Sequence, residues 1–163
     1  MLIRTHILFS FALLSVLSLA LPGAQALLAS SAATAVISNV LIDAAGHERR
    51  RSGGRMFIRR TPLTHTPLHS ALFGAISSAP ACFLLFHYSL LFQLAASPFF
   101  GALSGLSHIF LDAFTERGIY VKRNGRYERF ALAHLPYNSP VNSVVAAASL
   151  FIAFACVSYA FGF

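Results

Sequence analysis

The sequence predicts an all-α membrane protein: one domain, residues 1–163, folded as a polytopic bundle of about five transmembrane helices. Three observations predict it. Hydrophobic residues make up 56% of the chain and charged residues only 10%, so a soluble domain of this size would lack the polar surface to cover itself. The apolar residues fall into five runs, and crossing a hydrocarbon core of ~30 Å takes about 20 such residues. Most of the charge is confined to two stretches between those runs.

The first run covers residues 7–21 and breaks at Pro22 and Gly23. The second, 26–42, is rich in Ala and Ser and ends at Asp43. The third covers 68–94. Pro98 is expected to open the fourth, 99–114, because a proline in the first helical turn gives up no intrahelical donor. Asn138, Ser139 and Pro140 precede the fifth, 141–163, as a start signal. The first and fourth runs are short, so their helices are expected to continue into flanking polar residues that reach the interface.

Twelve Lys and Arg against five Asp and Glu give a net charge of +7. The loop at 43–67 holds Arg49, Arg50, Arg51, Arg55, Arg59 and Arg60, and the loop at 115–140 holds Arg117, Lys122, Arg123, Arg126 and Arg129. Basic loops stay cytoplasmic, which places the N-terminus inside and the C-terminus outside the cell membrane. The connections at 22–25 and 93–98 carry no charge, as expected of turns on the far side. Membrane lipids, with anionic headgroups near the arginines, are the expected partners; nucleic acid is not. Cys82 and Cys156 lie in apolar runs without metal-type spacing. Arg4, the apolar run and Ala24-Gln25-Ala26 also resemble a secretory signal peptide, whose removal would take away His6.

With this topology six ionisable side chains converge on the cytoplasmic side. His6 starts the first span, Asp43 and His47 end the second, His65 precedes the third, and His108 and Asp112 occupy the last turns of the fourth. Ionisable groups at membrane depth are costly and mark functional sites. Asp43 and His47 are four apart, as are His108 and Asp112, so each pair shares a helix face where the helix persists. Ser104 and Glu116 extend the second stripe by one turn each way. Imidazoles and carboxylates suit a divalent metal such as Zn, Mn or Fe. Singly, each residue also fits an interfacial side chain paired with an arginine or a hydrogen-bond partner; six at one face favour a site. His69 follows Pro67 and is less secure, while His87 lies inside the third span and His134 in the last loop, outside the site.

Four segments carry a family resemblance: Thr5-His6-Ile7-Leu8-Phe9-Ser10, then Leu41-Ile42-Asp43 with His47, then Thr64-His65-Thr66, and the block from Ser107 through His108, Asp112 and Glu116 to Gly118. Together they resemble the prokaryotic membrane-bound metal-dependent hydrolases, a family of small inner-membrane proteins with an archaeal branch of unknown function. The resemblance implies a helical membrane protein with a metal site built from those His and Asp residues and a hydrolytic role. The chain departs from the pattern twice. Asp43 stands alone where bacterial relatives carry two aspartates before a histidine, and Arg59 or Arg60 stands where they tend to have a histidine.

The expected mechanism has His65, His108 and Asp112, with Asp43 or His47, hold the metal, while Glu116 serves as general base. The arginine-rich loop would draw in an anionic substrate, a phosphoester or lipid headgroup. Two alternatives stand beside it: a non-enzymatic membrane adaptor or anionic-lipid binder, and a lipid phosphatase with His108 as nucleophile oriented by Asp112. Gly101 and Gly105 form a small-xxx-small pattern that suits either internal packing or a homo-oligomer.

Overall fold

A run of apolar residues closed by Pro22 and Gly23 makes the first helix, α1 (Ile3–Leu19), and sends the chain back on itself. Gly23 adopts φ +75, and the hydroxyl of Tyr88 occupies the space a Cβ there would need, donating to the carbonyls of Pro22 and Gly23 at 2.7 Å each. In this computed structural model residues 1–52, 54–86 and 88–163 are described; Gly53 and His87 lie outside them.

Helix α2 (Ala24–Gly46) runs back and persists through Asp43, past the boundary expected at residue 42. His47 leaves it in extended backbone and begins an antiparallel hairpin of β1 (His47–Ser52) and β2 (Arg55–Arg60), in which His47 faces Arg60. Thr66 accepts a hydrogen bond from the His69 amide and Pro67 takes the first turn, so α3 (Pro67–Ser77) starts cleanly. A second hairpin, β3 (Ile119–Arg123) with β4 (Arg126–Phe130), follows the fourth helix. Asn124 and Gly125 turn it, both at positive φ, which is the turn that matches strand twist. Helix α5 (Val141–Phe161) closes the chain.

The third and fourth runs are divided differently from the sequence expectation. Residues 68–94 do not form one helix: α3 stops at Ser77, a 3₁₀ helix spans Ala79–Leu85, and the pair is bent by 48°. Pro80 falls in the first turn of the second piece, where its missing donor costs least. Helix α4 (Leu90–Ala113) then begins nine residues before 99, capped by Ser89, whose hydroxyl accepts from the Phe92 amide at 3.3 Å. Pro98 therefore lies inside α4 and does not start it, and 93–98 is helix, not a turn. Packing from neighbouring helices permits this in an apolar setting. The two basic loops are strands over much of their length, a feature the charge pattern conceals.

By length and composition α2, α4 and α5 can each cross a membrane, and α3 with the 3₁₀ helix forms a bent fourth candidate. Helix α1 is apolar but has only 17 residues. Apolar side chains point outward: Phe83 is 81% exposed, Leu91 80% and Phe151 74%. Inside, serines, threonines and Asn39 are fully buried beside a small apolar cluster of Leu14, Leu27, Leu85 and Phe100. That inversion suits a lipid solvent, where close approach and interhelical hydrogen bonds hold helices together.

Helices α3 and α4 show it best. Ser70 donates to Gly105 O at 2.7 Å, while Ser78 and Ser97 each donate to the other's carbonyl at 2.9 and 2.7 Å. The backbones touch where Gly74 meets Gly101, and no Cβ fits at either position. Gly101 and Gly105 thus serve packing within the chain. Gly74→Leu and Gly101→Leu are each expected to lose at least about 1–3 kcal/mol through overpacking, read as a lowered unfolding midpoint in detergent; an unchanged midpoint would refute this contact.

Candidate metal centre

Six of the sequence-predicted residues lie at one end of the bundle. His6 is in the first turn of α1, Asp43 in the last turn of α2, and His108 and Asp112 in the last turns of α4. His47 is the first residue of β1. His65 belongs to the short segment before α3, held by its neighbours: Thr64 Oγ1 donates to Ile42 O at 2.8 Å, Thr61 N to Gly46 O at 2.8 Å, and Tyr120 N to His65 O at 2.8 Å. Gly46 is required here, because a Cβ on it would strike Thr64 Oγ1 and the His65 ring.

Four ligand-type atoms form a closed ring. Asp112 Oδ2 lies 3.3 Å from His108 Nε2 and 3.6 Å from His65 Nε2; Asp43 Oδ1 lies 3.4 and 3.7 Å from the same two nitrogens. His65, His108 and Asp112 are fully buried, and Asp43 is about one quarter exposed. His65 Nε2, His108 Nε2 and Asp112 Oδ2 are buried without any hydrogen-bond partner. Leaving such atoms unsatisfied costs about 1–3 kcal/mol each, more for charged groups; a protonated imidazole between the carboxylates, or a cation shared among them, meets that cost.

The outer contacts fix which nitrogen is free. Thr64 Oγ1 spends its hydrogen on Ile42 O and therefore accepts from His65 Nδ1–H at 3.1 Å. Asn39 Nδ2 donates to Ala35 O at 2.7 Å and Ser10 Oγ at 2.9 Å, so its Oδ1 accepts from His108 Nδ1–H at 2.8 Å. Both rings thus have Nδ1 held as a donor and turn Nε2 toward the two carboxylates, the orientation in which metal-binding histidines are held by their outer contacts. Burial also pushes the His65 imidazole below its ordinary pKa; the neutral form is the one that ligates.

The other carboxylate oxygen of Asp112 is occupied. Arg60 Nη2 donates to Oδ1 at 2.6 Å while Nη1 donates to Thr115 Oγ1 and Gly118 O at 3.0 Å each. His6 Nε2 is 3.2 Å from the same oxygen and the Met1 amino group 3.4 Å, and the His6 ring stacks on His108 with centroids 4.1 Å apart. His47 turns Nδ1 back to Asp43 O at 2.7 Å. His6 and His47 therefore flank the ring of four. Asp43 and His47 open it to a cleft of about 730 Å³ whose walls include Arg49, Arg60, Arg117 and Tyr137.

Glu116 is not brought in with them. Helix α4 ends at Ala113, so the expected extra helical turn is missing; Glu116 is exposed on the turn that follows and lines a small recess with Thr115, Leu135 and Tyr137. His69 bonds Pro62 O at 3.0 Å and His134 is exposed in its loop; His87 lies outside the described residues. Arg60, Asn39, Thr64 and Gly46 were not singled out as site residues by sequence. The usable signals are an asparagine one turn before Asp43 and a threonine beside His65.

Asp112 meets the Arg60 guanidinium and the Met1 amino group, while Asp43 faces the His65 and His108 imidazoles; a cation shared with the imidazoles would add to that pairing in a poorly solvated place. Neighbouring ligands of an ion held at ~2.1 Å stand about 3.0–3.4 Å apart, close to the four neighbouring distances of this ring; the ligand atoms of His6, His108 and Asp112, and those of Asp43, His47 and His65, each lie within 4.8 Å of one another.

No curated protein and no solved structure matches the chain. A family model described as a protein of unknown function (DUF1286) matches residues 1–111, which include His6, Asp43, His47, His65 and His108. As the match covers more than half of the 163 residues, the chain belongs to that family.

Proposed function

We infer that the protein is a membrane-bound metal-dependent hydrolase working at the cytoplasmic face on a phosphoester, free or in a lipid headgroup. The observation that carries this reading is the ring of His65 Nε2, His108 Nε2, Asp43 Oδ1 and Asp112 Oδ2, three of whose atoms are buried and unpartnered. The chain crosses the cell membrane five times, with α3 and the 3₁₀ helix as one bent crossing, the N-terminus inside and the C-terminus outside. Both arginine-rich hairpins then lie at the inner surface beside the ring, as the positive-inside rule requires.

His65, His108, Asp43 and Asp112 would hold the ion, Zn or Mn, which would supply Lewis acidity to the site and make water a better nucleophile near neutral pH. Arg60 fixes the Asp112 carboxylate through Oδ1 and leaves Oδ2 for the ion. His47, on the cleft wall with Nδ1 committed to Asp43 O, has Nε2 left to accept a proton. Glu116 is the other candidate base, now from an exposed turn. A histidine nucleophile is less well served: His108 is fully buried, with Nδ1 held by Asn39 and Nε2 facing two carboxylates, and it is not among the residues that line the cleft. For the adaptor reading, alanine at the histidines should leave partner or lipid binding intact.

Elemental analysis of purified protein is expected to find about one equivalent of Zn or Mn, lost in His108→Ala and Asp112→Ala. Well-folded wild-type protein that holds no divalent metal would end this reading. Asn39→Ala and Thr64→Val, which touch no ligand atom facing the ring, are expected to weaken metal affinity by about 10–100-fold in competition with a chromogenic chelator; unchanged affinity would show that the outer contacts do not orient the imidazoles.

With a generic phosphoester such as p-nitrophenyl phosphate as probe, His47→Gln is expected to lower kcat by at least about 100-fold with metal content retained, and Glu116→Gln to leave it near wild type. The reverse pattern would assign the base to Glu116.

A further inference from the structure

Beside the cleft at the ring of four lies a second recess of about 620 Å³, between the two hairpins. Arg59 and Arg60 from β2, Arg117 from the turn after α4, and Tyr120, Tyr127 and Arg129 from the second hairpin line it. The two recesses adjoin: Ile58, Arg60 and Arg117 border both. Their geometry is built, not incidental. Tyr120 donates its hydroxyl to Arg60 O at 3.1 Å, which locks one hairpin to the other, and Arg129 stands opposite Tyr120 in the β3–β4 register.

The guanidinium groups divide by task. Arg60 gives both terminal nitrogens to Asp112, Thr115 and Gly118 and keeps only a buried Nε unpartnered, so its terminal donors shape the wall. Arg49 lines only the cleft at the metal ring, Arg59 and Arg129 line only the outer recess, and Arg117 stands at the junction. Arginine clusters of this kind read phosphoryl oxygens through paired N–H donors. A substrate with one anionic group at the metal ring would reach Arg49 and Arg117 and leave Arg59 and Arg129 unused.

We propose that the substrate carries two phosphoryl groups, a diphosphate or bis-phosphorylated compound, with the scissile group at the metal ring and the second between Arg59, Arg117 and Arg129. This rests on the hydrolase reading for the first group; the outer recess stands on its own residues. The phosphoryl pair belongs either to a soluble compound or to a lipid whose tail stays in the bilayer, and the chemistry recognised is the same.

The test is isothermal titration of the full chain in nanodiscs with inorganic pyrophosphate and with orthophosphate, with metal content measured on the same samples. Pyrophosphate is expected to bind at least about tenfold tighter than orthophosphate, and Arg59→Ala and Arg129→Ala each to lose about tenfold for pyrophosphate with little change for orthophosphate and with metal content intact. Arg129→Lys, which keeps charge but not the fork, is expected to fall between. A prenyl diphosphate in the same nanodiscs separates the sources: affinity well above that of pyrophosphate marks a lipid, equal affinity a soluble compound.

Equal binding of pyrophosphate and orthophosphate by wild type, or arginine variants that unfold at the wild-type midpoint and bind pyrophosphate unchanged, would overturn the proposal. If pyrophosphate binds with that arginine dependence but no metal is found, the hydrolase reading falls and the diphosphate recess survives. If metal is held and pyrophosphate is not preferred, the recess falls and the hydrolase reading survives.

Discussion

Asp112 is a carboxylate with no solvent exposure near the end of an apolar helix, and much of the surrounding architecture follows from what it needs. A charge in such a place persists only when paired and hydrogen-bonded. Arg60 comes from β2, His6 from α1 and His65 from the segment before α3, while His108 stands one turn back on the same helix. One side chain thereby pins a hairpin, a helix start and a connecting segment to α4. Removing one partner of a buried pair costs about 3–5 kcal/mol because the other charge is stranded, so the hairpin's position is enforced by electrostatics as much as by strand pairing.

The inverted interior extends that logic away from the site. Asn39 bonds Ser10 on α1 and Ser104 on α4 while presenting Oδ1 to His108, and Ser10 meets Ser107 at 2.6 Å. Three helices are therefore fixed by hydrogen bonds one turn below the ring of four. In water such contacts contribute little net stability, but among lipid chains the alternative is an unsatisfied group. Farther from the ring the serine contacts continue, Ser18 with Ser31 at 3.0 Å and Ser78 with Ser97, around the small apolar cluster of Leu14, Leu27, Leu85 and Phe100.

The gathering of His6, Asp43, His47, His65, His108 and Asp112 at one end was legible in the sequence, because alternating apolar runs and basic loops fix which helix ends share a side. What escaped was local. Hydropathy cannot distinguish a proline that starts a helix from one tolerated within it, so Pro98 was misplaced and the break at Ser77 was missed. The arginines masked two hairpins, although Asn124-Gly125 carries a strong turn signal. Glu116 was set on a stripe that presumed helix beyond Ala113, where the chain instead turns so that Leu132 N and Leu135 N bond Ala113 O and Phe114 O. Arg60 was counted as loop charge because burial of a guanidinium, here 7% exposed, depends on a tertiary partner 52 residues away.

That arginine also limits what the ring can be. A guanidinium here brings a permanent positive charge and no lone pair. Its Nη2 holds Asp112 Oδ1 at 2.6 Å, so Oδ2 is the oxygen left to face His65 and His108. His6, which also addresses Oδ1 and stacks against His108, is drawn to the same occupied side. The set that remains, two imidazole nitrogens and one oxygen from each of two aspartates, would under the proposed reading hold a single ion with its exposed edge at Asp43. Arg60 thus joins the basic hairpin to Asp112, so the arginine-rich surface and the gathered imidazoles and carboxylates are held together by one side chain.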